Sequence, residues 1–288
     1  MAVVGPTASG KSAVALAAAR RLGDVELVSV DSMQVYRGMD IGTAKPSATE
    51  RAEIPHHLLD LVEPCHDFTV AAFQHAYRRA IADIGHRARR AVLVGGTGLY
   101  HRVVIDDFDL PGDWPEVRAR LEADPDTEAL HCRLAELAPA AAGKMEPTNR
   151  RRIVRALEVT IGSGRPFSSY GPGVDAYPPS PVTQIGLRWP RDVLAQRIVH
   201  RVAAMVAAGL FAEVERIQRT TGFSRTASQA VGYQVPLAAL EGRRSVDGAI
   251  GRIVTRARRC AGGRERGGRR ARRGRGGEGG GGRGACAG

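Results

Sequence analysis

The sequence predicts an α/β fold: a parallel sheet flanked by helices, with a helical insertion domain. Three observations carry this. The octapeptide GPTASGKS, residues 5–12, stands between a strand-like run at 2–4 and an Ala- and Leu-rich helical run at 13–22. Four apolar, β-branched runs at 3–4, 27–30, 92–94 and 182–187 alternate with helical patterns, which implies parallel strands covered on both faces. From Asp113 to about Gly164 the chain becomes charged, Ala-rich and helical, and a Gly/Pro/Ser stretch at 162–181 follows. The octapeptide makes the sheet P-loop NTPase-like.

Taken in chain order, Gly5, Gly10, Lys11 and Ser12 occupy every fixed position of G-x-x-x-x-G-K-[ST]. Strand, glycine loop and helix N-terminus together favour an anionic phosphate cluster. Gly23 can close the first helix, and residues 71–87 have apolar spacing for another. Asp31 and Thr97 each follow a strand, so both are expected near the phosphate loop, because ligands gather at the carboxyl edge of such sheets. A long helix is expected at 191–208, and no internal repeat is present. The expected division is a core at 1–110, an insertion at 111–180, the rest of the core at 181–259 and a tail at 260–288.

The formal charge is +12, and half of the excess lies in residues 261–288, where eight Arg face two Glu among thirteen Gly. So glycine-rich a segment is expected to be disordered. Three lysines stand against thirty-nine arginines, yet one of the three is Lys11, where a compact ammonium suits a bridging phosphate oxygen. The four cysteines are dispersed with no C-x-x-C pair, which argues against a disulfide framework or a zinc site. No apolar run reaches the roughly 18 residues of a membrane span, and no signal peptide is evident at the N-terminus. A cytoplasmic protein is expected.

The segment NRRRIVRALEV (149–159) places Arg151 and Arg155 on one helix face with Arg152 beside them, either as a solvated face or as a polyanion contact. His56 and His57 are adjacent, so their side chains diverge, and they read as structural. From these residues alone the chain is a phosphate-handling transferase. An ATP-dependent small-molecule kinase would use Asp31 with Arg197 and Arg201, although no second acidic strand end for Mg²⁺ is evident. A non-catalytic RNA-binding protein would use the basic helix and the tail.

The motifs GPTASGKS, DSMQVYRGMDIGTAKP (31–46), IPHHLLD (54–60), VGGTGLY (94–100), RALEV (155–159), HRVAAMVAAGLFAEV (200–214) and AVGYQ (230–234) resemble, in order, those of the tRNA dimethylallyltransferases, also called tRNA isopentenyltransferases. The resemblance covers roughly residues 2–259. It implies that the loop residues Gly5, Thr7, Ala8, Ser9, Gly10, Lys11 and Ser12, with Arg201, hold the diphosphate of dimethylallyl diphosphate rather than ATP. It also implies Mg²⁺ held with Ser12, Asp31 as general base for the adenine amine, and Thr97 orienting that amine. Ser32, Met33 and Gln34 join Asp31 and Thr97 at the target nucleotide, and Arg118, Arg151, Arg152 and Arg155 face tRNA. The implied partner is the anticodon stem-loop of tRNA, the implied product carries the prenyl group on N6 of the adenosine 3′ of the anticodon, and the implied state is a monomer without a membrane. After IVTRARR (253–259) the pattern departs from the family. An RNA-binding tail, an inert extension and a reading-frame change all fit that departure, and its abruptness within a helix favours the last.

Overall fold

The computed structural model describes residues 1–96, 98–170, 180, 182–240, 242 and 245–275. It divides into two compact units, Met1–Ile105 with Pro179–Gly288, and Asp106–Pro178.

The first unit is built on a five-stranded sheet. Its strands are β1 (Ala2–Val4), β2 (Val25–Val30), β3 (His56–His57), β4 (Arg90–Gly95) and β5 (Gln184–Gly186), in the order β3-β2-β4-β1-β5. Every pairing is parallel, with Val3 opposite Val94 and Ile185, and Val28 opposite Leu93. β2 is buried at all six residues, Glu26 and Ser29 included, as expected of a parallel strand covered on both faces. Four of these strands coincide with the apolar runs. β3 does not, because a two-residue edge strand carries no periodicity.

Helices α1 (Lys11–Leu22), α2 (Ala48–Glu53), α3 (Val70–His86) and α4 (Gly98–Ile105) follow in turn. α1 buries Ala15, Leu16 and Ala19, and the N–H of Gly23 closes it on the Ala19 carbonyl at 3.0 Å. Thr69 caps α3 by accepting from the Ala72 N–H at 3.2 Å. After β5 come α9 (Arg191–Ala207), α10 (Leu210–Thr220), α11 (Val231–Leu240) and α12 (Val246–Arg275). Leu194, Ile198 and Val202 of α9 and Leu210, Val214 and Ile217 of α10 recur every three or four residues and enter one core. Each such side chain contributes about 1.5–3 kcal/mol by leaving water. No single helix among the described residues is long and apolar enough to cross a membrane.

Residues from 261 onward were expected to be disordered, and α12 is described as far as Arg275. Ala249, Ile253 and Ala261 are buried against the core, so packing anchors the helix over those turns. Residues 276–288 lie outside the described set.

The second unit holds α5 (Pro115–Ala123), α6 (Thr127–Leu137), α7 (Pro139–Ala142) and α8 (Arg150–Ser163). Leu121, Leu130, Leu134, Ile153 and Leu157 form its own core. Asn149 caps α8 by accepting from the Arg152 N–H at 3.3 Å. The ring of Trp114 lies where a side chain at Gly162 would be, its Cγ 2.2 Å from an ideal Cβ.

Candidate active site

The phosphate loop joins β1 to α1. Ala8 has φ +61° and Gly10 φ +88°. A left-handed conformation costs a residue with a Cβ roughly 1–2 kcal/mol, so glycine suits position 10 and Ala8 must be held by its surroundings. Such alternation turns successive N–H groups to one side as an anion-binding concavity. The start of α1 adds its first-turn N–H groups and positive dipole end. Lys11 and Ser12, its first two residues, both line a cleft of about 520 Å³ with Ala8, Gly10, Arg197 and Arg201. Gly5 and Ser9 belong to the loop without lining the cleft, and the Ser9 hydroxyl is buried with no hydrogen bond among the described residues.

A smaller cavity of about 70 Å³ adjoins it, lined by Thr7, Lys11, Ser12, Asp31, Gln34 and Arg201 among others. Lys11, Ser12, Ala44 and Arg201 line both spaces, so loop and carboxylate share one continuous site. Asp31 leaves the end of β2, and its Oδ1 accepts the Met33 N–H at 2.9 Å, an Asx turn that fixes its rotamer. Close strand packing is needed beneath it: an ideal Cβ on Gly95 would stand 2.3 Å from the Val30 carbonyl oxygen. Burial, with Tyr36 and the Asp31 charge behind it, pushes the Tyr100 phenol up to about 12, so it remains a neutral O–H group.

The segment 39–46 is held in place by two buried charges. The Glu213 carboxylate accepts the N–H groups of Asp40, Ile41 and Gly42 at 3.0, 2.8 and 3.2 Å, and the Tyr233 hydroxyl donates to it at 2.5 Å. Lys45 Nζ donates to the Tyr36 carbonyl at 2.6 Å and pairs with Asp40 and Asp60 at 2.8 and 2.5 Å. The Gln34 side chain donates to the Thr43 and Ala44 carbonyls at 3.2 Å each and accepts from Ser29 Oγ at 2.6 Å. Gln34 therefore joins β2 to this segment as well as lining the smaller cavity. Ser32 and Met33 do not line either space, and Met33 packs against the core.

α9 supplies the opposite wall. Val193, Arg197, His200 and Arg201 share one face beside the buried Leu194, Ile198 and Val202. Arg197 Nε donates to the Ala8 carbonyl at 2.8 Å, and Trp189 Nε1 to the Ser9 carbonyl at 2.9 Å. Trp189, Gln196 and His200 were not foreseen, although the i, i+4 spacing of Arg197 and Arg201 is a readable signal.

His57 Nε2 meets Glu26 at 2.6 Å, a structural contact, and His56 Nδ1 meets the Ile54 carbonyl at 2.6 Å while His56 also lines the smaller cavity. Among the described residues no three His, Cys, Asp or Glu gather as a metal cage. The Ser12 hydroxyl, expected from the sequence to take part in holding Mg²⁺, stands in the first turn of α1, where Ser12 lines both spaces. Thr97 lies outside the described residues.

In the second unit, Arg151 and Arg152 are exposed, whereas Arg118 and Arg155 converge on Glu158, which is only 1% exposed. Arg155 Nη1 lies 2.9 Å from both Glu158 Oε1 and Asp113 Oδ1, and its Nη2 donates to the Pro111 carbonyl at 3.1 Å. Arg118 Nε approaches Glu158 Oε2 at 3.2 Å as an ion contact, without hydrogen-bond alignment. The Trp114 N–H completes the carboxylate's shell at 3.0 Å.

A parallel sheet, a phosphate loop opening a helix and a carboxylate at the next strand end define a P-loop NTPase-like transferase. The family model for IPP transferase matches residues 34–262. A tRNA dimethylallyltransferase of Bifidobacterium longum is 44% identical over 91% of this chain and 80% of its own length. That of Kineococcus radiotolerans is 48% identical over 86% and 81%. Among solved structures, the full-length tRNA isopentenylpyrophosphate transferase of Bacillus halodurans covers 96% of this chain and 86% of its own at 38% identity, with a TM-score of 0.63. A eukaryotic dimethylallyltransferase acting on tRNA has a TM-score of 0.76 over 92% and 68% at 24% identity, a likeness of fold. The chain belongs to the IPP transferase family, the tRNA dimethylallyltransferases. It is thus a prenyl-transferring enzyme, and the kinase and the non-catalytic RNA-binding protein are set aside.

Proposed function

We propose that this enzyme moves the dimethylallyl group of dimethylallyl diphosphate to N6 of the adenosine 3′ of the anticodon in tRNA and releases diphosphate. The observation that carries the reading is the shared site: Lys11, Ser12 and Arg201 line both the cleft of the phosphate loop and the cavity of Asp31. Lys11, the loop N–H groups and Arg201 bind the diphosphate and oppose its growing charge as the allylic C–O bond breaks. Ser12 would hold Mg²⁺, which adds charge neutralisation to the same leaving group. An adenine amine is a poor nucleophile because its lone pair is delocalised into the ring. Asp31 accepts an N6 proton as the new N–C bond forms, and the Asx turn keeps its carboxylate in place for that transfer.

Incubation with labelled dimethylallyl diphosphate or ATP and unmodified tRNA tests the reaction. Label is expected in tRNA from the prenyl donor alone, and ATP consumption with a small acceptor would refute the reading. Asp31→Ala should lower turnover about 10²–10⁴-fold with donor affinity nearly unchanged. Near-normal turnover in that variant would assign the base elsewhere.

A further inference from the structure

The loop carbonyls reveal a pair of residues to which no role is attached. A phosphate loop presents its N–H groups to the anion only if the intervening carbonyls point the other way and find donors there. Here the carbonyls of two consecutive residues are received by side chains from one distant segment. Arg197 Nε donates to Ala8 at 2.8 Å, and Trp189 Nε1 donates to Ser9 at 2.9 Å. The two donors also hold each other: the Arg197 guanidinium stacks over the Trp189 ring with Cζ 4.5 Å from its centroid. Ala8 is the loop's one left-handed residue that carries a Cβ, so the clasp acts where the backbone most needs restraint.

We propose that Trp189 and Arg197 are positioning residues that clasp the phosphate loop by its carbonyls and preset its N–H groups for the donor's diphosphate. The inference rests on the diphosphate reading of the cleft for its ligand, and on the loop geometry alone for its mechanism. Trp189→Phe keeps a ring for the guanidinium and removes only the N–H. Arg197→Lys keeps the charge at the cleft and loses the planar stack and the Nε bond.

Hydrogen exchange of the loop amides in the ligand-free enzyme is the first measurement. Both variants should exchange about tenfold faster across residues 8–12, with an unchanged melting midpoint. Unchanged loop exchange in both overturns the clasp, whatever the loop binds. Titration with inorganic pyrophosphate and Mg²⁺ is the second. Trp189→Phe should raise its Kd, and the KM of the prenyl donor, about three- to tenfold, the range for one lost hydrogen bond, while the tRNA KM stays put. Equal loss for tRNA would mean a general structural defect and would also overturn the proposal. If Arg197→Lys binds pyrophosphate like the parent while Arg197→Ala does not, Arg197 acts as a charge on the ligand and leaves the clasp to Trp189 alone, which refutes the paired form. Failure of the parent enzyme to bind pyrophosphate, with loop exchange still responding to Trp189→Phe, would sink the diphosphate reading and leave the clasp standing.

Discussion

Two helices carry arginines one turn apart, and they use them differently. On α9, Arg197 and Arg201 line the cleft of the phosphate loop. On α8, Arg151 and Arg155 have the same spacing, but Arg155 turns onto Glu158 and Asp113 while Arg151 and Arg152 remain exposed. The lesson is about partners rather than periodicity. An i, i+4 pair tells which side chains share a face, whereas that spacing does not say which group receives the charge. For Arg155 that group is a buried glutamate three residues on, which also accepts the Trp114 N–H. For Arg197 it is a backbone carbonyl nearly 190 residues away.

The sharpest way to break this contrast is Arg201→Ala. If the α9 arginines serve the leaving group, kcat/KM for the donor should fall about 10²–10³-fold, as when one preorganised transition-state donor is removed. The melting midpoint should hardly move. A stability loss without a kinetic one would place Arg201 with Arg155 as a structural ion, and steady-state kinetics beside thermal unfolding decides between them.

Glu158→Ala probes the other side. It leaves two partly buried guanidinium groups and one N–H without their acceptor. Breaking a buried pair costs about 3–5 kcal/mol, and the partial exposure of both arginines brings the expected loss down to about 2–3 kcal/mol. Chemical denaturation should register it as a lower midpoint with the same slope. An unchanged midpoint would mean that Asp113 alone suffices for Arg155.

Much of this was legible in the sequence, for reasons that can be named. The loop announces itself because its spacing is dictated by the geometry of backbone N–H groups around phosphate, and Asp31 because strand ends collect ligands. The apolar run at 27–30 marked β2, whereas the burial of Glu26 within it could not be read locally: it meets His57 and Arg87, and the Arg87 guanidinium holds its carboxyl below the usual range. What stayed hidden depends on long-range pairing. Nothing local marks Glu213 as the acceptor for three N–H groups more than 170 residues earlier, or Trp189 as a donor to Ser9. Composition describes the glycine-rich segment in isolation, and the packed turn at Ala249 and Ile253 that precedes it is a tertiary fact.

The smallest expected effect refines the contrast within α8 itself. If exposed arginines meet tRNA phosphates, each contact contributes about 0.7–0.9 to the slope of log K against log salt. Arg151→Ala and Arg152→Ala should therefore each flatten the salt dependence of tRNA binding by nearly one unit, and together by up to two. Arg155→Ala should flatten it less, because its guanidinium is already neutralised by Glu158 and Asp113, and should lower the melting midpoint instead. Donor KM should not respond to any of the three if, as proposed, the diphosphate is bound by the loop and α9. Filter binding across a salt series reads the slopes directly. Equal slopes for parent and Arg151/Arg152 variants would reduce that face of α8 to a solvated surface, and a full unit lost with Arg155→Ala alone would show that its ion pairs open when tRNA arrives.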